Sequence, residues 1–92
     1  MVHLGHRTWD TPMTVGKSRV VEAARRDVSL SREDLYWRYF ALGGSVTREA
    51  VDSYLEGQVE MWRAAEVNIL IQAVNERYSE MGLGIQVPYV DH

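Results

Sequence analysis

The sequence predicts an all-α fold, a small helical domain of three principal helices behind a basic N-terminal helix, with the long C-terminal helix central and both termini extended. Three observations predict it. Over residues 59–81, Val67, Leu70, Ile71, Val74, Tyr78 and Met81 recur at steps of three and four, the spacing of one side of a helix. Helix start and stop residues alternate along the chain: Ser18, Ser31 and Thr47 as N-caps, and Gly43, Gly44, Gly57, Gly82 and Gly84 as breaks. No pair of segments alternates regularly enough to build a sheet.

In order, residues 1–14 read as an arm, because His3, Gly5, His6, Trp9, Asp10 and Pro12 carry no sustained period. Thr11-Pro12 is the weaker helix start, since Gly16 follows closely; Ser18 is the better N-cap. From there Val20, Val21, Ala24 and Val28 make a short apolar stripe to about Asp27, and Arg19, Arg25 and Arg26 take the other face. Residues 28–30 form a linker that dips toward the core. Ser31 with Asp34 three residues on is a near relative of the capping box and opens a helix over residues 32–42. That helix is dense in rings: Leu35, Tyr39 and Leu42 make one stripe, Tyr36 and Phe40 another, with Trp37 on a flank. Gly43 and Gly44 stop it, one of them left-handed. Thr47 caps the next helix, with Val46 before it and Val51 inside in the placement of a hydrophobic staple. Ala50, Val51, Tyr54 and Leu55 form its inner face up to Gly57.

The long helix of residues 59–81 carries a second apolar set, Trp62, Ala65, Ile69 and Ala73, and so requires neighbours on two sides. In the tail, Leu83, Ile85 and Val87 share a side, while Pro88 bars a central strand. The tail is therefore expected to lie extended across a helical groove. The domain limits are an arm over 1–14, a helical domain over 15–82 and a tail over 83–92.

A chain of 92 residues buries only a modest core, which makes self-association, as a symmetric dimer, a natural remedy. With 46% hydrophobic and 25% charged residues, three Trp and five Tyr, the composition is that of a globular domain. The absence of Cys excludes a disulfide scaffold and thiolate chemistry. No run approaches the roughly 20 apolar residues of a membrane span, and the N-terminus lacks the basic-then-apolar order of a signal peptide, so the expected setting is cytoplasmic. The net charge of −3 is unevenly distributed. Up to residue 32, Arg7, Lys17, Arg19, Arg25, Arg26 and Arg32 outnumber Asp10, Glu22 and Asp27; beyond it, ten acids face Arg38, Arg48, Arg63 and Arg77.

The segment Trp37-Arg38-Tyr39-Phe40-Ala41-Leu42-Gly43-Gly44, with the helix running from Thr47 to Gly57 and the run Ala73-Val74-Asn75-Glu76-Arg77, resembles short actinobacterial helical proteins and modules. The resemblance implies a bacterial cytosolic setting and assigns no functional residue.

Candidate chemistry is sparse. Gly16-Lys17-Ser18 has the ending of a phosphate-binding loop, but that loop needs a glycine five residues before Gly16, where Thr11 stands. His3 and His6 share a metal only if their segment is helical and Asp10 or His92 completes the sphere. The acid pairs Glu33 with Asp34 and Asp52 with Glu56 sit where carboxylates serve solubility and the helix dipole. No cofactor or metal is expected, and the chain reads as non-enzymatic. A helix-turn-helix whose reading helix begins with Glu60, Arg63 and Glu66 is a poor match to phosphate.

Two binding functions remain. The favoured one is a small regulatory or adaptor protein acting through protein–protein contact and self-association, with Trp37, Tyr36, Arg38 and Trp62 as anchors, because aromatic residues and arginine dominate interface anchors. The alternative is a nucleic-acid-binding transcriptional regulator using Lys17, Arg19, Arg25 and Arg26.

Overall fold

A computed structural model of the chain describes residues 16–58 and 62–91. They form four helices, α1 (Lys17–Asp27), α2 (Arg32–Ala41), α3 (Arg48–Leu55) and α4 (Ala64–Glu80), followed by an extended tail, and no strand occurs among the described residues. The architecture is the predicted all-α one. Helix α4 packs against α1 and α2, while α3 packs on α1 and α2.

The core is the set of stripes read from the sequence. Val20, Val21, Ala24 and Val28 of the first segment, Leu35 and Tyr39 of α2, Val51, Tyr54 and Leu55 of α3, and Val67, Leu70, Ile71, Ala73, Val74 and Tyr78 of α4 are all buried together. Val28 and Leu30 in the α1–α2 linker are buried as expected, and so is Val87 of the tail. Burying these apolar side chains removes roughly 1.5–3 kcal/mol worth of exposed surface for each of the larger ones, the main term opposing chain entropy in a domain this small.

All four helices stop in the same way. Beyond each last turn, two successive amides fold back onto its carbonyls: Ser29 to Arg26 and Leu30 to Arg25 after α1, Gly43 to Phe40 and Gly44 to Tyr39 after α2, Gly57 to Tyr54 and Gln58 to Ser53 after α3, and Gly82 to Ser79 and Leu83 to Tyr78 after α4. This Schellman arrangement needs a left-handed residue at the turn. Gly43, Gly57 and Gly82 supply it with φ of 98°, 78° and 75°; after α1 the residue is Ser29, at φ 57°. Gly44 has a different task. A Cβ there would stand only 2.2–2.4 Å from three ring atoms of Tyr39, so its bare backbone is what lets the ring pack against the turn. At their starts, α2 and α3 are capped as predicted: the Ser31 hydroxyl accepts from the Asp34 amide and the Thr47 hydroxyl from the Ala50 amide.

Several expectations are corrected. Ser18 is not the cap of the first helix: the cap residue is Gly16, two positions earlier, with no side-chain cap, and the helix begins at Lys17. The long helix begins at Ala64; Trp62 and Arg63 lie before it, and positions 59–61 fall outside the described residues. Trp62 therefore does not belong to a second stripe of that helix: Arg63 is extended (ψ 138°), and this lets the indole stack on Tyr54, with ring centres 4.6 Å apart. Of the remaining second set, Ala73 is buried and Ile69 partly so, but Ala65 is exposed; Met81, placed on the main stripe, lies beyond the helix end and is exposed. The arm over 1–14, with His3, His6 and Trp9, and the terminal His92 lie outside the described residues.

Candidate interaction face

The ten residues of α2 carry four rings and one leucine, more than one side of the helix can hold, and geometry decides which are buried. At about 100° per residue, Leu35 and Tyr39 fall within roughly 40° of each other, whereas Trp37 falls about 200° away from Leu35. With Leu35 and Tyr39 fixed in the core, Trp37 has to face outward. Trp37 and Phe40 are each 55% exposed, and Tyr36 is half-buried at the edge. The three form one cluster: Tyr36 and Trp37 meet edge to face at 5.3 Å, Trp37 and Phe40 likewise at 6.0 Å, and Tyr36 and Phe40 lie nearly parallel at 6.2 Å. Exposed Glu33, one turn before Trp37, gives the cluster a polar edge.

Arg38 lies beside this cluster but is turned toward α4. Its Nη1 and Nη2 donate to the two carboxylate oxygens of Glu80 at 2.7 and 2.8 Å, and Glu76 stands 3.8 Å away. The hydrogen bonds that Arg38 donates to Glu80 raise the Arg38 pKa against the opposing effect of burial, and the same bonds hold the Glu80 carboxyl below the usual value. The fork of Arg38 thus fastens α2 to the last turn of α4. Trp62 stands apart from the other three anchors, packed on Tyr54 and 6.4 Å from the ring of Tyr39. The structure brings Tyr36 and Trp37 together with Phe40, a residue that the sequence reading placed on a stripe but not among the anchors.

The basic set divides in two. Arg19 and Arg26 are exposed and Lys17 half-exposed, but Arg25 folds inward. Its Nε and Nη2 donate to Glu22 at 2.8 and 2.6 Å and its Nη1 to the Leu30 carbonyl at 2.6 Å. Arg26 and Arg32 also reach Glu22, at 3.1 and 3.5 Å, and Arg32 donates to Glu56 at 2.7 Å. Burial works against the charge on Glu22, yet the hydrogen bonds and charge of Arg25, with Arg32 and Arg26, outweigh it and hold the carboxyl below its usual range. An open depression between α1 and α3, lined by Arg19, Glu22, Arg26, Leu55, Glu56 and Gly57, consequently presents carboxylates as well as guanidinium groups.

A further polar network is structural. The buried Tyr39 hydroxyl donates to Glu66 at 2.5 Å and accepts from the Val46 amide at 2.8 Å, and Glu66 also accepts from the Ser45 hydroxyl at 2.8 Å. Burial, with Glu66 beside it, pushes the Tyr39 phenol up to about 12. Glu33 and Asp34 are exposed at the start of α2, and Glu56 of the second acid pair is the one held by Arg32. Among the described residues no three His, Cys, Asp or Glu side chains are grouped to hold a metal, and no helix is long and apolar enough to cross a membrane.

Two residues to which the sequence assigns no role are Asn68 and Asn75, which hold the tail by its backbone. Their signal is their spacing, seven residues or two turns along a helix whose buried stripe they flank. No protein-family model matches the chain, and no curated protein and no solved structure matches it.

Proposed function

We propose that this chain is a small regulatory or adaptor protein of the bacterial cytoplasm that works through protein–protein contact, and that its first partner is a second copy of itself, docked through the outer face of α2. The observation that carries this reading is the exposed ring cluster of Tyr36, Trp37 and Phe40. A contiguous aromatic patch on water is unfavourable, and patches of this composition supply interface anchors. A two-fold axis through Trp37 sets two antiparallel copies of α2 together, so that each Trp37 meets the other copy's Phe40 edge to face and each Glu33 lies at the rim. Arg38 then serves the interface indirectly, by holding α2 on α4, and Trp62 serves the fold.

The test is Trp37→Ala. An exposed ring contributes little to the monomer, so the melting temperature should change by only a few degrees, while association weakens by roughly 2 kcal/mol or more. Light scattering at micromolar concentration reads the second quantity. A wild-type chain that stays monomeric at 10.6 kDa would sink the proposal, and so would a mutant that loses folding stability on the scale of a core aromatic, about 3–5 kcal/mol.

Nucleic-acid binding through α1 is the less supported reading. Arg25 is engaged inside the protein, and Glu22 sits among the remaining cations.

A further inference from the structure

The tail of the chain is held as a peptide ligand is held. Beyond the closing turn of α4, where the Leu83 amide still bonds the Tyr78 carbonyl, the chain runs extended to residue 91 with no strand beside it among the described residues, and two side-chain amides of α4 grip its backbone at Val87 and Val90. Asn75 donates from Nδ2 to the Val87 carbonyl at 3.1 Å and accepts the Val87 amide on Oδ1 at 2.7 Å. Asn68 repeats the pair with Val90, at 3.1 and 2.8 Å. The register is geometric. Seven residues of helix rise roughly 10.5 Å, and three residues of extended chain span about 10 Å, so asparagines two turns apart match backbone positions three apart.

Such amides read main chain and not side chain; selectivity comes from the apolar contacts. Val87 is 1% exposed in the core, with Leu83, Ile85 and Val90 packed against the same cluster. Asn75 is only 5% exposed, and the bonds it makes with a side chain so buried are those to the Val87 backbone. An empty groove would leave that amide unsatisfied, so the site calls for an extended segment. Pro88 fits this binding: it lacks an N–H, none is gripped at its position, and it biases Val87 toward the extended conformation. Gly84 lies open in the linker, with space around it.

We propose that the α4 groove is a binding site for an extended peptide, filled in cis by the chain's own tail and in trans by the tail of a second copy, so that two copies exchange residues 83–91. The occupant is the tail because it carries the matched Val87 and Val90 and is joined to α4 by a linker with glycine at 82 and 84. This exchange is independent of Trp37 and Phe40.

The test uses the full chain with Val87→Asp, which weakens the resident tail and leaves the groove intact. A labelled synthetic peptide of residues 83–92 is titrated in and followed by anisotropy. One peptide should bind per chain, at least tenfold more tightly than to the wild-type chain, whose site is already occupied. Adding Asn75→Leu should weaken that binding at least tenfold, since two main-chain hydrogen bonds are removed. If the Val87→Asp chain is unfolded alone, the peptide should restore its helical circular dichroism; Val90→Asp, at the partly buried end of the tail, is the milder second variant. Failure of the peptide to bind or to restore either variant overturns the groove, and so does binding indifferent to Asn75. For the exchange itself, a Val87→Asp chain lends a groove and an Asn75→Leu chain lends a tail. Mixed in the Trp37→Ala background, which silences the α2 face, they should form a one-to-one complex. Two separate monomers would overturn the exchange.

Discussion

Trp37 and Tyr39 stand two positions apart on one helix and serve opposite ends. Trp37 is turned outward because Leu35 and Tyr39 hold the inward side, while Tyr39 is wholly enclosed and uses its hydroxyl to tie α2 to the loop after it and to α4 through Glu66. Removing that hydroxyl leaves the Val46 amide without its acceptor and Glu66 without one of its donors. Tyr39→Phe should therefore cost about 1–3 kcal/mol of folding stability, read from a shifted urea midpoint with an unchanged slope. The sequence does show Tyr39 on the inner stripe. It does not show Glu66 as its partner, because residues 27 positions apart become neighbours only when α2 and α4 pack. The same limit hid the partner of Arg38, whose place beside exposed rings suggests an interface anchor until Glu80 appears within its reach.

At the scale of elements, what was legible depended on local chemistry. Ser31 and Thr47 announce their helices because the cap bond closes within three residues, and Gly43, Gly57 and Gly82 announce the ends because the closing turn needs positive φ. The end of α1 had no such signal, since Ser29 stands where the other three helices have glycine. A serine in the left-handed region is strained, and replacing it offsets the greater freedom that glycine brings to the unfolded chain. Ser29→Gly should stabilise the protein by about 0.5–1 kcal/mol, visible as a rise in melting temperature. A fall would mean that the hydroxyl has a role of its own. The start of α4 was misread for a related reason: apolar spacing cannot distinguish Trp62 stacked on Tyr54 before a helix from a residue inside it.

For the whole molecule, Glu22 is the point where three helices meet electrostatically, joined to Arg25 and Arg26 of its own helix, to Arg32 of α2 and through Arg32 to Glu56, the residue that closes α3. Its folded-state pKa lies below the ordinary 4.5, and those of Glu66 and Glu80 are lowered too. A lowered carboxyl binds fewer protons folded than unfolded, so its contribution is present above about pH 4.5 and is lost as the pH falls through the folded value. Glu22→Gln should thus be less stable at neutral pH and lose less on acidification than the wild type, as a pH series of melting temperatures would show. Equal acid slopes for the two proteins would contradict it. The tail, for its part, has a rhythm that solution measurement can detect. Only the amides of Val87 and Val90 are gripped by asparagine, Pro88 has no proton to exchange, and Gln86, Tyr89 and Asp91 are exposed. Hydrogen–deuterium exchange followed by NMR should find slow protons at Val87 and Val90 and fast ones at Gln86, Tyr89 and Asp91. Because both bonds break when one strap lifts, those two protons should report a single opening free energy, which is the free energy with which the chain holds its own end.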